Sequence, residues 1–256
     1  MKPIGTTDPL FQRRNEIEVR WEQFVKGNNP TPALSSDIQL SWQRSSQFLT
    51  HPVPMAAPTE DAHAAHELWR QSPLRDAARQ ERDQMKQLAQ EGSLVVALAD
   101  VSGRLLWTFA SNHMRRRAEE VNFIAGGQWD EAHMGTNAVG LAARLQRPVT
   151  VFSAEHYMPN VHEWVCYAAP IIHPQTSELV GVLDISSTWR KHTPLGQMAV
   201  TQLANSIANR LPSHMPKAEL EIRALGGSQV TYMGMTLHVS QRQLEMLCLL
   251  ALNPQG

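Results

Sequence analysis

Residues 163–187, "EWVCYAAPIIHPQTSELVGVLDISS", hold two apolar runs joined by the five-residue connection "HPQTS". Both runs suit strands, and a connection of that length suits a β-hairpin. Strand alternation then puts Trp164, Cys166 and Ala168 on one face and Val165, Tyr167 and Ala169 on the other. Asp184 interrupts the second apolar run, so it marks a strand end or a polar contact inside a pocket.

Working outward, "SLVVALAD" from Ser93 is a compact apolar run ending in the turn "VSG", and "RLLWTF" from Arg104 reads as its hairpin partner. "RPVTVF" from Arg147 is a further strand candidate. Thr193 and Pro194 open a helix that carries Leu195, Ala199, Leu203, Ile207 and Leu211 at i+4 steps, and Pro212 ends it. Strands with helices before, between and after them predict an antiparallel-rich α+β domain.

Residues 1–91 read as a helical region punctuated by prolines. Ile17, Trp21, Phe24 and Val25 lie on one side of a charged helix over 14–26. Ser35 or Ser36 caps a second helix bearing Ile38 and Trp42, which the prolines of "THPVPMAAPTE" cannot continue. Ser72 as N-cap, Pro73 at the first position and Gly92 as stop predict one helix over 73–91. Its apolar stripe suits packing on the domain or dimerisation equally well.

Beyond a short linker, 212–219, "LEIRALGG", "QVTYMG" and "MTLHV" read as small strands with glycine turns. Ser240 and Gln243 form a capping box before "LEMLCLLALN", a helix apolar nearly all round that expects partners on several sides. The reading is a truncated chain, or a helix covered by another subunit.

Hydrophobic residues make up 42% and charged residues 18% of the chain, the composition of a soluble globular protein. A formal net charge of -1 offers no whole-molecule attraction to nucleic acid or anionic membrane. Two cysteines far apart, Cys166 and Cys248, a polar N-terminus and no bilayer-length apolar run predict a cytoplasmic protein with no membrane partner.

"WDEAHMGTNAVGLAARL" from Trp129 is the candidate for phosphate chemistry and fails as one. "GTNAVG" lacks the Gly-Lys-Ser/Thr ending of a P-loop and the three-glycine dinucleotide spacing. It reads instead as a helix capped by Thr136 or Asn137, with Ala138, Leu141, Ala142 and Leu145 buried behind. Asp130 and Glu131 read as a solvated face or as favourable charge at a helix start. His133, His156, His162, Cys166 and His173 match no compact zinc signature, and no hydrolase elbow is present. No catalytic constellation, metal site or cofactor is predicted.

In order, "SWQRS" from Ser41, "WDEAHMGTNAVGLA" from Trp129, "RPVTVFSAEHY" from Arg147, "WVCYAAPI" from Trp164 and "GVLDIS" from Gly181 resemble the sensory region of the acetoin-catabolism activator family. The resemblance covers about residues 38–211. It implies a GAF-like sensor domain over 92–211, a transcriptional regulator and not an enzyme. The family commonly has Asp-Pro after the "API" strand where this chain has His173-Pro174, so a shared ligand does not follow. Residues 220–256 resemble the opening of a response-regulator-type winged helix rather than a sigma-54-interacting ATPase.

The resemblance implies a small-molecule effector (an alcohol, aldehyde, ketone or hydroxy-ketone), DNA binding through the intact C-terminal domain, and a homodimer. Candidate lining residues are Trp107, Phe109, Trp129, Asn137, His156, Tyr157, Trp164 and Cys166, the aromatics for contact and Asn137, His156 and Tyr157 for hydrogen bonds. A protein-interaction module without small ligand, and a redox or metal sensor built on Cys166 and the histidines, are the alternatives.

Overall fold

Five strands build the central sheet: β1 (Val95–Ala99), β2 (Leu105–Ala110), β3 (Val149–Phe152), β4 (Trp164–Ile172) and β5 (Leu179–Thr188). All neighbours pair antiparallel, in the order β2-β1-β5-β4-β3. The hairpin read from 163–187 is β4 and β5, with Cys166 opposite Ser186 and Ala168 opposite Asp184. The computed structural model describes residues 8–27, 35–49, 52–53, 55–213, 220–224, 229–232 and 235–253. Contacts divide the chain into two compact units, Met1–Leu211 and Pro212–Gly256.

Both faces of the sheet are covered, so the α+β expectation holds. One face packs on α1 (Pro9–Val25), α3 (Ala62–Gln71), α4 (Pro73–Ala77), α5 (Arg82–Gly92) and α9 (Leu195–Ala208). Ile17, Trp69, Leu74, Met85, Val200 and Ile207 meet Val165, Tyr167 and Ala169 of β4 there. The other face packs on α2 (Ser36–Phe48), α6 (Arg115–Glu120), α7 (Glu131–Met134) and α8 (Ala138–Leu145). Trp42, Trp129 and Leu141 meet Trp164, Cys166 and Ala168 on that side, so the strand faces read by alternation are the observed ones.

The single helix expected over 73–91 is two helices. Ser72 caps α4 and Pro73 opens it as expected, but the chain turns at 78–81 before α5 begins. At that turn the Glu81 carboxylate points inward, takes a 2.8 Å hydrogen bond from the Ser206 hydroxyl and pairs with Arg210. A tertiary tie to α9 thus overrides an uninterrupted helical pattern that holds no proline or glycine to announce the break.

In the second unit β6 (Leu220–Arg223), β7 (Gln229–Tyr232) and β8 (Met235–Leu237) form an antiparallel sheet, followed by α10 (Gln241–Leu252). The predicted capping box is present, with Ser240 and Gln243 capping each other. Leu244 is buried, whereas Met246, Leu249, Leu250 and Leu252 are exposed. Most of the linker over 212–219, the glycine turns between the small strands and most of the "LNPQG" turn lie outside the described residues, as does part of "THPVPMAAPTE". No helix among the described residues is long and apolar enough to cross a membrane.

Candidate functional site

Asp184 sits in the middle of β5, flanked across the sheet by Ala97 of β1 and Ala168 of β4. Two alanines beside a short side chain leave space over the centre of the sheet. Ala138 and Val139, in the first turn of α8, roof it. Phe123, Trp129, Val161 and Trp164 supply the aromatic and apolar walls, and Asn137, His156, Cys166 and Asp184 the polar ones. The cavity is small, about 10 Å³. That is room for about one water, so any larger occupant must displace a lining side chain.

Of the residues singled out in the sequence, the structure brings Trp129, Asn137, His156, Trp164 and Cys166 together on this cavity. Trp107 and Phe109 lie elsewhere, packed on the opposite face of the sheet. The cause is a register slip: Ala99 pairs with Leu105 and Leu98 with Trp107, leaving Leu106 as an extra residue. One inserted residue inverts the facing of everything after it, so Trp107 and Phe109 follow Leu98 and Val96 rather than Leu105.

Tyr157 is buried nearby but outside the lining. Its hydroxyl donates to the Leu49 carbonyl at 2.8 Å, and its own carbonyl accepts from the Trp21 indole at 3.0 Å. Asn137 reaches the cavity with its polar atoms engaged. Oδ1 accepts from the Gly140 amide at 2.9 Å, capping α8, and Nδ2 donates to the Gly135 carbonyl. Gly135 itself has φ +62°, and a Cβ there would stand 2.5 Å from that of Tyr157, so the turn into the cap admits only glycine.

Two polar atoms of the lining have no protein partner, His156 Nε2 and Asp184 Oδ2. Both residues are 1% exposed. Burial lowers the His156 ring to about 4 and raises the Asp184 carboxyl to about 7, the latter against a hydrogen bond from Ser186. Burial also raises the Cys166 thiol, with the Asp184 charge adding to it, which opposes the thiolate a redox sensor needs. Among the described residues no group of three or more His, Cys, Asp or Glu is placed to hold a metal ion.

Behind the cavity, two sequence motifs lock together. Arg44 of α2 grips Glu131 through both oxygens, at 2.8 and 2.7 Å, and the Ser41 hydroxyl bonds the same carboxylate. Ser41 and Ser45 also meet the Thr136 hydroxyl, at 2.7 and 3.2 Å, and the Trp42 indole donates to the Glu155 carbonyl at 2.8 Å. Glu131 is therefore a mostly buried ion-pair partner and not part of a solvated face. Asp130 does cap α7, accepting from the amides of Ala132 and His133.

A wider, open groove lies beside α9, lined by Arg13, Tyr167, His192 and Met198. Its polar groups answer one another: the Tyr167 hydroxyl meets His192 Nδ1 at 2.9 Å and accepts from the Thr193 amide, and Arg13 pairs with Glu155. It offers surface, without the buried unpartnered groups of the enclosed cavity.

The locked motifs and the cavity fall within residues 15–209, and that segment matches the MimR N-terminal domain family. The chain belongs to this family. Among curated relatives, an uncharacterized 47.3 kDa protein in the thcA 5' region of Rhodococcus erythropolis is 29% identical, covering 98% of this chain and 55% of that protein. The acetoin dehydrogenase operon transcriptional activator AcoR of Bacillus subtilis is 28% identical over 81% of this chain and 34% of its own length. The propane 2-monooxygenase operon transcriptional activator MimR of Mycolicibacterium smegmatis is 28% identical over 74% and 32%. The chain thus spans from about a third to just over half of the length of these relatives. The crystal structure of the E. coli DhaR(N)–DhaL complex shares the GAF-like fold, with a TM-score of 0.64 at 16% identity over 69% of this chain and 61% of that one.

Within the MimR N-terminal domain, Phe123, Ala138, Val139 and Val161 are lining residues that were not sequence candidates, and Asp184, read as a strand end or a pocket contact, lines the cavity from mid-strand. A polar residue inside "LVGVLDIS" is the signal that points to Asp184; Phe123 and Val161 lie in irregular segments where no periodicity assigns a face.

Proposed function

We propose that this chain is the sensory part of a transcriptional activator and that the cavity over β5 binds a small oxygenated metabolite. The observation that carries the reading is the pair of buried, unpartnered polar atoms, His156 Nε2 and Asp184 Oδ2, on a cavity walled by Trp129 and Trp164. Unpaired buried polar groups cost about 1–3 kcal/mol each, a cost that binding an oxygenated ligand can recover. The relatives named as operon activators support the regulatory half of the proposal.

In this proposal residues 220–256 open a winged helix that binds DNA in the intact protein, and the sensor unit forms a homodimer through the helical segments over 73–91 (α4 and α5) and 194–211 (α9). The segment from Glu219 holds only Arg223 and Arg242 as fixed cations, so this chain alone binds specific DNA weakly. Melting temperatures against small alcohols, aldehydes, ketones and hydroxy-ketones test the sensor, since a ligand of the folded state raises them. No shift with any of them in a folded sample overturns it.

One observation favours a protein-interaction module as the second reading: the cavity has room for about one water. Under that reading melting is indifferent to every small molecule, and regulation follows a protein partner.

A further inference from the structure

Anything larger than water reaches the cavity over β5 only if one of its walls parts. The floor is the sheet, where Asp184 lies between Ala97 and Ala168 inside hydrogen-bonded ladders. On one side Phe123 interlocks with Trp129 and Trp164, at ring-centroid distances of 4.8 and 5.9 Å. The lining residues Asn137 and His156 come instead from two segments, 129–137 and 153–157, that meet along a seam. At that seam the Tyr157 amide donates to the Thr136 carbonyl at 3.0 Å.

Helix α2 bridges the seam from behind. On one side its Ser41 and Ser45 meet the Thr136 hydroxyl, at 2.7 and 3.2 Å, while Ser41 and Arg44 hold Glu131. On the other side its Trp42 indole donates to the Glu155 carbonyl at 2.8 Å. The Leu49 carbonyl, at the end of the helix, accepts from the Tyr157 hydroxyl. Thr136 and Glu155 immediately precede Asn137 and His156, so α2 grips the residue next to each. Polar ties separate at modest net cost because the freed groups rehydrate, whereas parting interlocked rings leaves apolar surface in water. The seam is therefore the wall that yields first.

We propose that α2 is a clasp on the cavity: Ser41, Arg44 and Ser45 hold it shut on Glu131 and Thr136, and the cavity opens when α2 lifts and the segments carrying Asn137 and His156 separate. Access is a property of the fold and its test needs no ligand. The clasp and the effector-site reading of the same cavity can therefore fail separately.

Cys166 lines the cavity and is buried while it is closed, so its thiol reports each opening. With methyl methanethiolsulfonate the thiol forms a mixed disulfide and releases methanesulfinate, and peptide mass spectrometry counts Cys166 apart from Cys248. Opening at the clasp exposes little of the rest of the chain. Well below the unfolding midpoint, the rate in the unaltered protein should therefore vary by less than about twofold with urea. Ser41→Ala deletes the hydroxyl shared by Glu131 and Thr136 and should raise that rate at least about tenfold. Leu74→Ala, on the opposite face of the sheet, costs more stability yet should change it by less than about threefold.

A rate that climbs with urea along the global unfolding slope means that Cys166 is reached by unfolding the whole unit, and it overturns the clasp. So does a rate that Ser41→Ala leaves unchanged, or one that Leu74→Ala raises as much as Ser41→Ala does. If Ser41→Ala fails to fold, Thr136→Val removes the other hydroxyl of the contact while keeping the side chain's shape. The urea dependence of the unaltered protein decides without either variant.

Discussion

The two faces of the central sheet are made by the same strands and finish their polar groups differently. Against α4, α5 and α9, the buried Glu81 is neutralised by Arg210, and Tyr167, His192 and Thr193 close on one another. Against α8, Asp184 and His156 are as deeply buried, and each keeps an unpartnered atom with no ion pair to compensate it among the described residues. Glu81 Oε2 is also unpartnered, but there the charge is met by Arg210. Because alternate side chains of a strand project to opposite sides, one sheet can devote a face to stability and the other to a site that costs stability. The predictions below probe this contrast, starting from the packed face.

Leu74 is wholly buried among the side chains of the packed face. Leu74→Ala removes buried methyl groups and leaves a hole that neighbouring helices can only partly fill, at a cost of about 3 kcal/mol in denaturant melts. Effector binding should survive in the folded fraction. A loss of binding with little loss of stability would reverse the roles assigned to the two faces.

A smaller effect is expected behind the cavity. Glu131→Gln keeps the shape but deletes the charge gripped by Arg44 and bonded by Ser41. With both partners largely buried, the loss should be about 2 kcal/mol, below the value for a fully buried pair because Arg44 keeps some contact with water. A change below about 0.5 kcal/mol would mean that the motif pair does not hold α2 in place.

Acid should find the cavity side first. Unfolded, His156 and His162 take up protons near 6.5; folded, burial delays this to about 4 and about 3. Below 6.5 the unfolded chain binds more protons, so these residues remove stability as pH falls. Asp184 acts oppositely: unfolded it releases its proton near 3.8, folded only at about 7, so its contribution is lost as pH rises through about 7. Two histidines outweigh one carboxyl, and stability should fall by about 1–2 kcal/mol from pH 7 to pH 5. A melting temperature that rises over that interval contradicts the burial of the two rings.

How much of this was legible in the sequence depends on whether local pattern or distant contact decides. Alternation placed Trp164 through Ala169 correctly because β4 runs without a bulge until Ile171, and the caps at Ser72, Asn137 and Ser240 are local chemistry. Trp107 and Phe109 were misplaced because one inserted residue, Leu106, inverts the pattern, and nothing in "RLLWTF" marks which residue is extra. The break at 78–81 depends on Ser206 and Arg210, more than a hundred residues away. Glu131 looked like a solvated charge for the same reason: Arg44 reaches it across the fold. His156 was legible as a candidate, but its tautomer depends on the backbone position of Ser153.

The contrast between the faces sharpens most in the variant with the smallest expected effect. Asp184→Asn keeps an acceptor for Ser186 and an N–H to donate into the cavity, and it removes the ionisable group. Above about 7 the unaltered protein must bury a carboxylate with no ion-pair partner among the described residues, a burden the amide does not share. The variant should therefore be more stable by about 1 kcal/mol at pH 8, less than the shift alone suggests because a buried amide must still find partners. By pH 5, where the native carboxyl holds its proton, the two melting temperatures should meet. Substitution on a packed face is expected to destabilise at every pH, so a gain confined to alkaline conditions would identify Asp184 as a group kept at the expense of stability. A variant less stable at pH 8 than at pH 5, relative to the native chain, would place a compensating charge beside Asp184.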